Sequence, residues 1–212
     1  MQEFFTIKEN VLAEIVEKKS KFIANLFYIE SQQEAEKIIK QIKKKYYDAR
    51  HNCIAYRVIE NDSVIEKSSD DGEPSGTAGA PMLNILQKNN LCNVLVVVTR
   101  YFGGILLGTG GLVRAYSDAT INAIDKAEKV LKINGIEAQV EIQYNNLEIF
   151  KHYCKNNDIN ITGIEYFDII KCKIELENKI YGKLIEDINI KNIKINDIKV
   201  LSEKYINKSV EK

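Results

Sequence analysis

Apolar and polar residues alternate loosely over residues 4–30, which predicts two strands joined by a turn near residues 18–21. Ser31-Gln-Gln-Glu34 has the spacing of a capping box, in which the serine and glutamate side chains each satisfy the other's backbone N–H. It opens a helix with Ala35, Ile38, Ile39, Ile42 and Tyr46 on one face. Residues 51–59 alternate as a half-buried strand, residues 60–80 are rich in turn formers, and residues 82–87 suit a short helix after Pro81. The run NVLVVVT at 93–99 is the pattern of a strand buried on both faces. A glycine-rich loop follows it. From Gly110 or Gly111 a helix is expected to run to about residue 129, burying Leu112, Tyr116, Ala119, Ala123 and Ala127.

A linker at 133–136, containing Gly135, separates this from a second pattern. Residues 137–143 read as a strand, 147–154 as a helix, 159–166 and 168–176 as paired strands, 180–188 as a helix and 194–201 as a last strand. Within 168–176, Ile170, Cys172, Ile174 and Leu176 face one way, and Lys171, Lys173 and Glu175 the other. The order βαββαβ predicts a ferredoxin-like sandwich. The division expected is therefore two domains, 1–133 and 137–212.

Composition narrows the class without changing this outline. With 212 residues, 45% hydrophobic and 28% charged, the chain suits a soluble globular protein. No run of 18 apolar residues predicts a membrane span, and the acids within the first 20 residues argue against a signal peptide. Cys53, Cys92, Cys154 and Cys172 show no CxxC spacing and read as small apolar residues of a reducing cytoplasm. Through Ile136 there are 18 basic and 17 acidic residues, and beyond it 12 and 13. That balance speaks against a protein held to nucleic acid mainly by phosphate contacts, and no DNA specificity is expected. A weak, salt-sensitive contact with RNA would fall on the loop arginines or the Lys171/Lys173 sheet face.

Distribution is more telling than balance. Only four of the 30 basic residues are arginine, at 50, 57, 100 and 114. Eight of the 11 glycines and both prolines lie between residues 72 and 111. A buried strand, then glycines, then a helix start can form an anion site, because freed N–H groups and the helix dipole converge there. The candidate contacts are Arg100, Gly103, Gly104, Gly108, Thr109, Gly110, Gly111 and Arg114, with Ser75, Gly76 and Thr77 from the upstream turn. The glycines serve equally well for tight turns and close helix–strand packing. The loop is neither a P-loop nor a clean GxGxxG fingerprint. Asp70, Asp71 and Glu73 are candidates for a hard-cation site, Asp71 and Glu73 for a cation or acid role, and Ser75 and Thr77 are candidate nucleophiles, although Asp-Gly and Glu-Pro are also ordinary turn chemistry. His51 either reaches the loop or makes a local hydrogen bond. No catalytic residue and no metal ligand set is assigned.

Two segments carry a resemblance. DDGEPSGTAGAPML (70–83) and VVVTRYFGGILLGTGGLVRAYSDA (96–119) resemble the signature blocks of the YigZ/IMPACT family, and DARHNCIAYRV (48–58) fits the strand before them. The resemblance implies an N-terminal α/β domain like those of RNase PH and a ribosomal-protein domain 2, and a C-terminal ferredoxin-like domain, for an α+β fold overall. Eukaryotic IMPACT members regulate translation under amino-acid starvation, through the ribosome-associated activator of an initiation-factor kinase. They carry a different additional N-terminal domain. What this implies here is a non-catalytic cytosolic binding protein with a ribosome, RNA or translation-factor partner and a phosphate-containing ligand, and with no cofactor. The alternative is an enzyme acting on a phosphorylated small molecule or nucleotide, using Asp71 or Glu73 with magnesium. A third reading is a protein-docking module whose loop is purely structural.

Overall fold

The uninterrupted apolar run ends up where its pattern requires, in the middle of a sheet covered on both sides. In the computed structural model, which describes residues 3–61 and 63–208, the elements run in this order. β1 is Phe4–Ile7, β2 Val11–Glu17 and β3 Ser20–Tyr28, followed by α1 (Gln32–Lys45), β4 (His51–Glu60) and β5 (Ser63–Ser69). Next come α2 (Gly79–Lys88), β6 (Val94–Tyr101), α3 (Gly108–Lys126) and β7 (Lys129–Ile142). The chain closes with α4 (Leu147–Asn156), β8 (Asn160–Tyr166), β9 (Ile170–Glu177), α5 (Asn178–Asn189) and β10 (Asp197–Lys208). Its described residues divide into two compact units, Phe4–Leu131 and residues 132–208 together with Glu3.

In the first unit the sheet order is β2-β3-β6-β4-β5, with every pair antiparallel. Because side chains alternate across a strand, β6 supplies two cores at once. Val94, Val96 and Val98 pack with Met82 and Leu86 of α2 and with Leu112, Tyr116 and Ala119 of α3. Leu95 and Val97 pack with Ala35, Ile39 and Ile42 of α1 on the opposite face. The Ser31 hydroxyl accepts the Glu34 N–H, and the Glu34 carboxylate accepts the N–H of Glu30, one residue before the box spacing expects.

The second unit carries the order β7–α4–β8–β9–α5–β10, with β7 between β9 and β10 and β8 beyond β9. Ala138, Val140, Cys172 and Ile174 face Phe150, Cys154 and Leu184 of the two helices. The opposite sheet face is a lattice of paired charges. Lys204 bridges Glu137 and Glu175, and Lys171 meets Glu141 at 3.1 Å.

Three differences from the sequence pattern have local causes. Residues 4–30 hold three strands rather than two, because β1 is a separate four-residue piece that pairs alongside Leu91. Residues 63–69 form β5, an exposed edge strand whose polar side chains hide its period. The expected linker at 133–136 lies inside β7, and a Cβ on Gly135 would stand 2.6 Å from Ile206 Cδ1 and 2.8 Å from the Leu176 carbonyl oxygen. Its glycine is there for close packing. Among the described residues no helix is long and apolar enough to cross a membrane.

Each unit has its own apolar core, so the first is expected to stand alone. Residues 1–133, expressed separately, should unfold in one cooperative denaturant transition with native-like circular dichroism. An aggregated or unstructured fragment refutes independent folding.

Candidate functional site

Arg100 occupies the last turn of the pleat in β6, directly between Phe22 of β3 and His51 of β4 in the register of the sheet. All three point to the side covered by α3. A guanidinium there must be compensated, and Glu73 does so: its Oε1 lies 2.7 Å from an Arg100 terminal nitrogen, with side-chain exposures of 7% and 3%. The same oxygen accepts the Tyr116 hydroxyl of α3 at 2.8 Å. The guanidinium carbon lies 5.5 Å from the Phe22 ring centre and 5.6 Å from that of Phe102. Its Nε is buried without a hydrogen-bond acceptor, and the two ring faces supply the attraction instead. Phe22 and Tyr116 meet edge to face at 5.1 Å. Burial first, then the neighbouring Cys53 and Glu73, push the Tyr116 hydroxyl pKa upward, so it serves as a neutral donor.

The upstream segment is held by its acids. Asp70 accepts N–H groups from Gly76, Ala78 and Gly79, at 2.8, 3.0 and 2.8 Å. It thereby caps α2 from eight and nine residues upstream, where the N-cap residue itself offers no side-chain bond. Burial works to raise the Asp70 carboxyl, but these three donors outweigh it and hold its pKa below the ordinary 3.8. Asp71, with φ 44°, accepts the Asn52 N–H at 2.7 Å and pairs with Lys43 at 2.5 Å. Its carbonyl sits 2.9 Å from His51 Nδ1. A carbonyl only accepts, so that nitrogen carries the proton. The Cys53 thiol donates to the Asp70 carbonyl and burial pushes it up to about 12.

The expected contacts therefore fall into two groups. Arg100, expected to offer its planar fork to a ligand, is buried and engaged by Glu73. Asp71 and Glu73, the candidates for cation or acid chemistry, spend their carboxylates on protein donors. Thr77 donates its hydroxyl to the Pro74 carbonyl, and the Gly76 N–H goes to Asp70, leaving Ser75 exposed at the turn. Gly103 lets the loop press on the backbone of Lys19, and its N–H bonds to Ser20 Oγ. Gly104 and Gly108 adopt φ of 85° and 70°.

The second group is exposed. Thr109, Gly110 and Arg114 face solvent, Gly111 is half-buried, and α3 begins with no side-chain cap and no acid in its first turn. Its first N–H groups have no acceptor within the helix. Arg114 makes no ion pair among the described residues, and no cluster of three or more His, Cys, Asp or Glu side chains there is arranged to hold a metal ion. The sequence pattern did not single out Phe22, and it named Asp70 only as a cation candidate and Tyr116 only as a buried residue of α3, so the capping and hydrogen-bonding roles of those two were missed. An acid just ahead of a helix start is the signal that points to Asp70.

Chain topology and the buried Glu73–Arg100–Tyr116 cluster define a two-unit mixed α/β protein whose two glycine-bearing segments lock together. Residues 18–124 match the Impact N-terminal domain. The chain is 40% identical over 183 residues to an IMPACT family member, YvyE, of Bacillus subtilis, spanning 84% of this chain and 82% of that protein. It is 39% identical over 198 residues to an IMPACT family member of Haemophilus influenzae, spanning 87% and 96%. A crystal structure titled as that of a hypothetical protein aligns over 95% of this chain and 98% of the other, with TM-score 0.62 and 28% identity. The chain belongs to the IMPACT family.

Two measurements check the cluster. Glu73→Ala leaves a buried, unpaired guanidinium and should cost about 3–5 kcal/mol in denaturant unfolding, with Glu73→Leu/Arg100→Met recovering much of it. A double variant no more stable than Glu73→Ala contradicts this. Asp70→Asn should cost about 0.5–2 kcal/mol near neutral pH. Because the folded-state pKa of Asp70 is depressed, its contribution is present above the unfolded value and is lost as pH falls through the folded one. Wild type and Asp70→Asn should therefore converge in urea midpoint in acid. A constant gap would mean that the carboxylate charge is not what caps α2.

Proposed function

We propose that this chain is a non-catalytic cytosolic binding protein acting in translation, with a ribosome, RNA or translation-factor partner. Its contact for an anion of the phosphate type is the exposed start of α3, with Thr109, Gly110 and Arg114. The N-terminal unit is of the RNase PH/ribosomal-protein domain 2-like class. The second unit is ferredoxin-like, a reading supported by its β10-β7-β9-β8 strand order with two helices on one face. Membership in the IMPACT family supports the link to translation, which the family's eukaryotic members regulate.

One observation carries the anion contact. Gly110 has a helical position, no positive φ, and nothing within 4 Å of where a Cβ would stand. Neither a turn nor packing calls for glycine there, and glycine in a helix costs about 0.5–1 kcal/mol relative to alanine. What its hydrogen leaves open is the approach to the bare N–H groups of the first turn. The Glu73–Arg100 pair supports the same assignment, because an internally neutralised arginine does not compete for the ligand.

Calorimetry with phosphate, pyrophosphate and nucleotides tests the reading. Pyrophosphate should bind the wild type, and Arg114→Ala should weaken it by about 1.5–3 kcal/mol, as expected for a lost charge-assisted bond. Gly110→Ala should raise stability by about 0.5–1 kcal/mol while weakening binding. A wild type that binds none of these anions ends the proposal of an anion contact. Co-sedimentation with ribosomes tests the translation link separately.

A further inference from the structure

Between Gly104 and Gly108 the chain carries three aliphatic residues in succession, and only Leu107 turns inward. Ile105 is 42% exposed and Leu106 83%, and Phe102 just before them is 53% exposed. The loop base is held in place. Gly103 lies against the Lys19 backbone too closely for any Cβ and donates its N–H to Ser20 Oγ, so the tip projects from a fixed base. The residues beside that base are cationic. Lys18 and Lys19 form the β2–β3 turn, both at positive φ, and Arg114 lies two turns into α3. All three are exposed, and none is ion-paired among the described residues, as also holds for Lys37, Lys40, Lys44 and Lys45 of α1; what sets this surface apart is the aliphatic tip carried on the same loop. Of the exposed acids in β2 and α3, Glu14 pairs with Lys21, and Glu17, Asp118 and Asp125 form no ion pair with any of the three. The uncapped start of α3 adds its positive dipole end to this surface.

We propose that this loop tip docks a protein partner through an acidic, apolar peptide segment. Aliphatic side chains of the partner cover Ile105 and Leu106, while its carboxylates meet Lys18, Lys19, Arg114 and the first N–H groups of α3. The proposal rests on the reading that this end of the unit is its binding face, and it narrows the partner to a class. Nucleic acid matches less well. Bases stack on aromatic faces, and here the tip is aliphatic while Phe102 has the Arg100 guanidinium on its ring. A bilayer also matches less well, because hydrocarbon would desolvate the N–H groups of α3 and offer them no acceptor.

Random twelve-residue peptides displayed against the full chain, counter-selected on an Ile105→Ser/Leu106→Ser variant, test this. Enriched peptides should combine Asp or Glu with Leu, Ile or Phe. Titrated by fluorescence anisotropy, the best should bind wild type at least about tenfold tighter than the variant, a difference of about 1.4 kcal/mol. Binding should weaken with added salt. Both substituted side chains are exposed, so the variant should keep the wild-type melting temperature. Pyrophosphate titration of the two proteins separates this from the anion reading. Peptide loss with pyrophosphate retained supports the docking surface, and peptide binding without any pyrophosphate binding leaves the surface standing and removes the anion contact. Absent enrichment, enrichment of basic peptides, or equal binding by the variant overturns the proposal. So does an oligouridylate or a phosphatidylserine vesicle that binds wild type and is lost in the variant, which would assign the tip to RNA or to membrane.

Discussion

The N-terminal unit depends on a solution to one electrostatic problem, a guanidinium placed inside the fold at the end of its central strand. Desolvating an ion costs several kcal/mol even after relaxation, so Arg100 requires a carboxylate brought from elsewhere in the chain. Glu73 comes from the turn-rich segment, and a single one of its oxygens also takes the Tyr116 hydroxyl from α3. Three segments distant in sequence are thereby fixed to one another. An apolar triplet of similar volume would stabilise as well or better, but it would not specify the approach of segment 70–79 so narrowly, because hydrogen bonds to one oxygen are directional and dispersion is not.

That solution also decides where chemistry is left over. Charges that satisfy one another inside the protein have little left for a ligand, and this removes Arg100, Glu73 and Asp71 from the surface account. The same holds for the open face of the second sheet, where Lys204 and Lys171 are matched by Glu137, Glu175 and Glu141. Lys171, half of the basic pair expected to attract RNA, is thus neutralised by its cross-strand neighbour, which halves the charge offered there and leaves Lys173 as the exposed cation of the pair. Unpaired cations of the first unit remain at the β2–β3 turn and in α3, as they do along the exposed face of α1.

Much of this fold was legible because periodicity reports burial. The run at β6, the amphipathic stripe of α1 and the alternation in β9 each state which face is covered, and the two cores follow from them. β5 was not legible because nothing covers it, so an exposed edge strand has no period to show. The stretch 133–136 was read as a linker rather than as strand for a different reason. Gly135 was taken as a break, while in β7 it serves close contact with Ile206, and composition does not separate those two uses of glycine. The candidate site was legible as a region but not as a set of roles. Clustered glycine and arginine located it, yet whether an arginine faces a ligand or a glutamate depends on contacts between residues 27 apart in sequence, Glu73 and Arg100.

The glycines of the loop can now be separated by the reason each is there. Gly103 answers to the Lys19 backbone pressed against it, and Gly108 to a left-handed turn into α3. With Gly104, also in the left-handed region at φ 85°, they account for the loop's shape, and a purely structural loop would need no more of the first helical turn than good helix formers. Gly110 breaks that economy, since its surroundings are open and its backbone is helical. A sequence that keeps a helix-weakening residue beside uncapped N–H groups, next to an aliphatic tip it leaves in water, is locally inconsistent with stability alone. Such inconsistencies concentrate where a surface is shaped for something that is not part of the chain.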